Sequence, residues 1–281
     1  MITVSRAGPL TTVQDLGRPG WAHLGVPASG ALDAPALRLA NRLVGNPDGT
    51  AALEITAGGC AIVVAGPATV ALTGADAALT VAGRPAPLGA AVPVPRGATI
   101  EVGRARHGVR SYLAIAGGVD VPAVLGSRST DTLSGLGPRP LRDGDELPIG
   151  EPTGEPSTVD FVPMSVPLGD LALRVRLGPR HDWFTDPTEL LTQAYTVDVN
   201  SNRVGVRLAG RPLTRAVAGE LPSEGVVLGA VQVPANGQPL VFLADHPTTG
   251  GYPVIGVVDE ADLPLLAQAR PGDRVRFRLN R

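Results

Sequence analysis

The chain has 281 residues, 24 basic against 26 acidic side chains, a formal charge of -2 and one cysteine. So even a balance leaves no electrostatic footprint for nucleic acid or an anionic membrane. No uninterrupted run of about 18 apolar residues reads as a spanning helix, and the single Cys60 excludes an intramolecular disulfide. Every basic side chain is arginine, so a Schiff-base lysine, a P-loop lysine and a biotin-bearing lysine are all excluded. The opening MITVSRAGPLTTVQD has no basic segment followed by a long apolar one, and with one buried-looking thiol the expectation is a reducing, cytoplasmic setting.

In chain order, residues 11–33 (TTVQDLGRPGWAHLGVPASGALD) hold almost no apolar run but carry Gln14, Asp15, Arg18, Trp21, His23, Ser29 and Asp33 among four glycines. The stretch is either a self-bonded loop or part of a site, and its glycine spacing does not make a phosphate loop. A helix follows, with Asp33 as cap, Pro35 in the first turn and an apolar stripe of Ala36, Leu39, Ala40, Leu43 and Val44. Short β-rich runs come next, at 60–65, 69–74, 78–83, 99–103 and 111–118, with glycine and proline between them. The polar, Pro- and Gly-rich 151–160 reads as a linker between residues 1–150 and residues 161–281.

The second half opens on a strand at 172–178. A helix at TDPTELLTQA follows, where Asp186 and Glu189 have capping-box spacing. Further strands are expected at 195–200, 225–234, 239–245, 253–259 and 274–280. Between the last two lies a helix capped by Asp262 and stopped by Pro271-Gly272. The final strand alternates Val275, Phe277 and Leu279 with Arg274, Arg276 and Arg278, so it has one buried and one wet face.

Chemistry is concentrated in three places of this half. In VDVNSNRVGVRLAG, Arg203 and Arg207 are four apart and share a face on a helix or a strand; they are an anion-binding pair or two surface arginines. In ELPSEGVVLGAVQVP stand Glu220, Ser223, Glu224 and Gln232, with Glu224 placed for a barrel mouth or a plain turn. In LADHPTTGGYP, Asp245 and His246 are neighbours and face opposite ways on a strand, so they are not a dyad. Thr248, Thr249 and the Gly250-Gly251 backbone beside Tyr252 offer donors to a carboxylate or phosphate. No histidine has a partner at metal-ligand spacing, and no G-x-S-x-G elbow is present.

Seven motifs in order carry a resemblance. They are TVQDLGRPGWAHLGVPASGALD, NRLVGNPDGTAALEIT, SYLAIAGGVDVPAVLGSRST, LRDGDELPIG, NSNRVGVRLAG, SEGVVLGAVQVPANGQPLVFLADHPTTGGYPVIG and LPLLAQARPGDRVRF. Over nearly its whole length the chain resembles the biotin-dependent carboxyltransferase-like, or allophanate hydrolase subunit 2, family. That family includes the KipA antagonist of a kinase inhibitor and the C-type component of the 5-oxoprolinase complex. The resemblance implies a mainly β protein: a cyclophilin-like β-barrel in the C-terminal half, a second β-rich domain before it, and a few short helices. It implies a KipI-like subunit and a LamB/YcsF-type subunit as partners, a lactam or amide substrate, and ATP at the level of the complex. No covalently attached biotin is expected on this chain.

Laid on these residues, the resemblance makes Glu224, Asp245 and His246 the expected acid–base groups. Arg203, Arg207, Gln232, Thr248, Thr249, Gly250, Gly251 and Tyr252 become the expected substrate contacts, with Gln14, Asp15, Arg18 and Ser29 as N-terminal contributors. ATP-driven ring opening of 5-oxoproline is the first reading. A carboxyltransferase part of a biotin-dependent urea or amide carboxylase, or a non-enzymatic KipA-type antagonist, is the alternative. Two departures stand out: Pro247 where the family carries Gln, and Asn202 where Asp is common.

Overall fold

The computed structural model describes residues 1–164, 169–219 and 221–280. Glu220 lies outside the described residues. The chain divides into two units, Met1–Arg18 with Ser29–Val166, and Pro19–Ala28 with Pro167–Arg281. The stretch expected as a linker runs with the first unit, where the amide of Ser157 donates to Leu43 O at 2.8 Å.

The first unit is built on a nine-stranded sheet. Its strands are β1 (Ile2–Arg6), β2 (Leu10–Gln14), β3 (Ala52–Thr56), β4 (Cys60–Val64), β5 (Ala68–Val81), β6 (Arg84–Ala86), β7 (Val92–Val94), β8 (Thr99–Ile115) and β9 (Glu146–Leu147). The path runs β2-β3-β8-β4-β1-β9, with β5 pairing β6, β7 and β8. Glycine punctuation divides the expected strands at 69–74 and 78–83, and again at 99–103 and 111–118. In the fold each pair is one long strand, because register shifts between Gly74 and Leu79 let β5 stay paired with β8 through the interruption. Val4, Leu53, Ile62, Leu72, Ile100 and Leu113 are buried together along with Cys60, whose thiol that burial pushes up to about 11.

Helix α1 (Ala34–Leu43) covers part of this sheet. Asp33 caps it, its side chain accepting from the amide of Ala36 at 3.1 Å. The buried stripe is Leu37, Ala40, Asn41, Leu43 and Val44, so Leu37 replaces the half-exposed Ala36 and Leu39 of the expected stripe. Below the helix start, Tyr112 Oη donates to Glu54 Oε2 at 2.8 Å and accepts from the amide of Asp33. Burial and the Glu54 charge hold the Tyr112 phenol well above its ordinary pKa.

The second unit contains a closed barrel of seven strands. They are β10 (Leu171–Leu177), β11 (Ala194–Val197), β12 (Gly205–Ala209), β14 (Ala230–Gln232), β15 (Leu240–Phe242), β17 (Val254–Val258) and β18 (Arg274–Leu279). Their order around the barrel is β10-β17-β14-β15-β12-β11-β18. Closure comes from a parallel pairing of β10 with β18, which abolishes free edges. A two-stranded ribbon of β13 (Glu224–Gly225) and β16 (Thr249–Gly250) completes the unit. The expected alternation of β18 holds at Val275 and Phe277, which are buried, whereas Leu279 at the strand end is exposed.

Two expected caps are used differently. Asp186 accepts from the amide and hydroxyl of Thr188, and α2 (Glu189–Thr192) starts only after that turn. Asp262 makes no cap to α3 (Leu263–Ala267). Its carboxylate is instead gripped by Arg174 through Nε at 3.0 Å and Nη2 at 2.7 Å, which holds its pKa below the usual carboxylate range.

Candidate functional site

The site grows from a close backbone approach. Gly178, just after β10, lies against β17, and a Cβ there would sit 2.6 Å from Val254 O. That contact lets the amides of Gly178 and Arg180 donate to Ile255 O at 2.8 Å and Val254 O at 3.2 Å. The chain then makes a 3-10 turn at His181–Trp183. It bonds next to residues 214–217, the amide of Ala216 donating to Trp183 O at 2.8 Å and Phe184 bridging Arg215. Arg180 and Arg215 therefore leave two segments that are tied to each other.

The ribbon brings the acid. Glu224 on β13 stands opposite Gly250 on β16, and Gly225 opposite Thr249. Arg180 grips the Glu224 carboxylate with both Nε and Nη2, an ion pair in which each side chain stays about one-third exposed, 35% and 32%. Gln232, buried at the end of β14 beside a bulge, donates from Nε2 to Tyr252 O at 3.0 Å. A Cβ on Gly250 would come within 2.5 Å of the same nitrogen, so the ribbon can lie on the Gln232 amide only because residue 250 is glycine. The Tyr252 ring is half exposed, and the Arg215 guanidinium lies 6.0 Å from its centroid. Arg215 Nη2 donates to Val233 O at 2.8 Å. Arg180, Glu224, Gly250, Gln232, Tyr252 and Arg215 are thus joined in a chain of successive contacts.

Other expected site residues fall elsewhere. Arg203 and Asp245 form a bidentate pair, Nε to Oδ2 at 2.9 Å and Nη2 to Oδ1 at 3.0 Å, with side chains 1% and 0% exposed. So sealed, Asp245 is a structural counter-charge rather than an exposed acid or base, and Arg203 meets that carboxylate rather than a ligand. Arg207 does not converge with Arg203: it is exposed on β12 and lines a separate depression with Asp198, Asn200 and Asn236. Asp245 and His246 lie in the turn that follows β15 rather than on the expected strand, so strand alternation does not orient them, and His246 Nδ1 lies 2.7 Å from Pro247 O. A carbonyl only accepts, so Nδ1–H is the donor in this contact. Thr248 is half-buried and its carbonyl accepts from Val226, while Thr249 is exposed on the ribbon and Gly251 half-buried after it.

Gln14, Asp15, Arg18 and Ser29 are buried in the first unit and bond to residues 124–130. Asp15 accepts from the hydroxyls of Ser127 at 2.6 Å and Ser129 at 2.5 Å and from the amide of Arg128 at 2.6 Å. Arg18 donates to the carbonyls of Val124 and Ser129, and Gln14 and Ser29 donate to Thr130 O. This network spends the polar groups on holding two loops together. The two departures are also placed. Asn202 is exposed, its Oδ1 accepting from the amides of Val204 and Gly205, which an Asp carboxylate would do equally well. Pro247 supplies the carbonyl that orients His246.

Arg180 and Arg215 are absent from the sequence expectations. Both sit in Gly- or Pro-flanked connections, GPRHDW and RPLTRAV, where an arginine reads as surface charge. Nothing in spacing separates them from their neighbours.

Comparison with known proteins bears on this arrangement. The profile of the family "Carboxyltransferase domain, subdomain A and B" matches residues 24–279. The chain is 42% identical to the C-type subunit of 5-oxoprolinase from Escherichia coli (strain K12), over 99% of this chain and 90% of that protein. It is 37% identical to urea amidolyase of Saccharomyces cerevisiae, over 98% of this chain but 16% of that protein. A solved structure of TTHA0988 superposes with a TM-score of 0.88 at 38% identity, covering 99% of this chain and 55% of that one, so the chain spans about half of it. Matched along nearly all its length in sequence and in fold, the chain belongs to the carboxyltransferase domain, subdomain A and B, family.

Proposed function

We propose that this chain is the C-type subunit of an ATP-dependent complex that opens 5-oxoproline to glutamate. It would act in the cytoplasm with a KipI-like subunit and a LamB/YcsF-type subunit. The supporting observation is the end-to-end likeness, in both directions, to a protein named as the C-type subunit of 5-oxoprolinase. A lactam resists water because its nitrogen is a poor leaving group. Transfer of the ATP γ-phosphoryl group to the lactam carbonyl oxygen turns the carbonyl carbon into a better electrophile. Water then attacks that carbon, the C–N bond breaks as the nitrogen takes a proton, and a γ-acyl phosphate remains, from which a second water displaces phosphate to leave the side-chain carboxylate. The sequence needs a base for water and donors for developing oxyanion charge. Glu224, on the ribbon and partly open to solvent, is the base in this reading. The Gly250-Gly251 backbone supplies donors and Gln232 fixes their position.

A second reading, the carboxyltransferase part of a biotin-dependent urea or amide carboxylase, is favoured by the likeness to urea amidolyase. Reconstitution separates the two. The chain is co-expressed with its KipI-like and LamB/YcsF-type partners and supplied with 5-oxoproline. Glutamate release that requires ATP, and that E224Q abolishes while the complex still assembles, is the expected result. An assembled complex that yields no glutamate with ATP would overturn the proposal.

A further inference from the structure

The ring-opening reading requires a receptor for the carboxylate of 5-oxoproline, and neither arginine favoured by spacing serves. Arg203 is sealed against Asp245, and Arg207 is exposed and lines a depression with Asp198, Asn200 and Asn236. Arg180 is already occupied by both oxygens of Glu224.

Arg215 differs from all three. It is half-buried, and among the described residues no carboxylate lies within ion-pairing distance of it. Its Nη2 makes one bond, to Val233 O, while Nε is buried with no acceptor. A guanidinium carries five N–H donors in a planar fork, so most of this one's donor capacity is unspent. Removing a cation from water without a counter-charge is costly, and a protein keeps such a group where a ligand supplies the missing anion. The neighbours fit that use. The Tyr252 ring lies against the guanidinium, the Tyr252 carbonyl is fixed by Gln232, and Gln232 packs on Gly250 opposite Glu224.

We propose that Arg215 is the specificity-determining residue of this site, its guanidinium receiving the carboxylate of the lactam substrate while Glu224 works on the ring. The inference rests on the ring-opening reading for the identity of the substrate, and on the geometry alone for the anion. A bidentate carboxylate on Arg215 replaces the water around its fork and satisfies the charge that the fold leaves open. The Arg180–Glu224 pair stays intact in this arrangement, so substrate binding does not have to dismantle the acid–base group.

The test is binding without turnover. The assembled complex, free of nucleotide, is titrated calorimetrically with 5-oxoproline and with 2-pyrrolidinone, the same lactam without the carboxylate. R215Q is expected to weaken 5-oxoproline by about 10–100-fold, the range for a charge-assisted pair, and to leave 2-pyrrolidinone unchanged. R215K is expected to recover part of the loss, having the charge without the fork. Equal affinity of wild type and R215Q for 5-oxoproline overturns the assignment, as does an equal loss for both lactams or the absence of binding by wild type. Selective loss in R180Q and none in R215Q moves the receptor to Arg180 and also overturns it. If wild type binds the carboxylated lactam through Arg215 yet releases no glutamate with ATP, the anion site stands and the ring-opening function falls.

Discussion

At the scale of single residues, two arginine–carboxylate pairs of the barrel unit have opposite consequences because they differ in depth. Arg203 and Asp245 are fully buried, so each is tolerable only with the other. Replacing Asp245 with Ala leaves a buried guanidinium without its counter-charge and is expected to cost about 3–5 kcal/mol. Glu224 and Arg180 are about one-third exposed, and water can solvate either one if the other is lost. E224Q is therefore expected to change stability by no more than about 1 kcal/mol while stopping turnover. Urea unfolding midpoints of D245A and E224Q measure the contrast. A midpoint for D245A equal to wild type would return Asp245 to the candidates for chemistry. Strand alternation separates Asp245 from His246 in the sequence, but β15 ends at Phe242 and both residues lie in the turn after it, so alternation does not apply to them. Depth was not legible, because an aspartate flanked by Leu243-Ala244 and His246 looks alike at a barrel mouth and in its wall. Arg203 and Arg207 illustrate the same gap: their spacing is compatible with convergence, and only the turn before β12 sends one inward and the other to the surface.

Among elements, the ribbon of β13 and β16 is the piece that sequence periodicity could not supply. Each strand is two residues long, below the length at which alternation carries information. The run 225–234 reads as one strand, but it divides into a ribbon edge at Glu224–Gly225 and a barrel strand at Ala230–Gln232. Longer elements were legible where their period was long: β10, β17 and β18 fall within a residue or two of their apolar runs. The ribbon also makes a quantitative prediction. Adding a Cβ at Gly250 would push the Gln232 amide off Tyr252 O, a bond whose net loss costs about 1 kcal/mol. Moving one side-chain end is cheap for folding but displaces the donors beside Glu224. G250A is thus expected to fold nearly normally and to lose most of its kcat/KM. In a Q232A background there is no amide to displace, so the added cost of G250A should shrink. A double-mutant cycle on stability and on kcat/KM reads this coupling, and strictly additive effects would show that the Gly250–Gln232 contact does not govern the ribbon.

For the molecule as a whole, the amino-acid inventory constrains the chemistry more tightly than the fold does. Both readings use the same barrel and ribbon, since a fold does not fix a reaction. They differ in what must be carried to the site. Carboxyl transfer needs a biotin attached to a lysine, and these 281 residues contain none, so the carrier would have to lie outside them. Phosphoryl activation of a lactam needs no carrier, because ATP and water arrive as free solutes. Avidin tests the difference, since it seals biotin wherever in the complex the biotin is attached. With the complete complex, ATP and 5-oxoproline, avidin in excess is expected to leave the rate of glutamate release unchanged. A rate that collapses on adding avidin and returns when the avidin is first saturated with free biotin would place a carboxyl carrier in the cycle. Arg215 would then have to be reconsidered as the receptor of a carboxylated amide, which offers the same planar anion to the same fork.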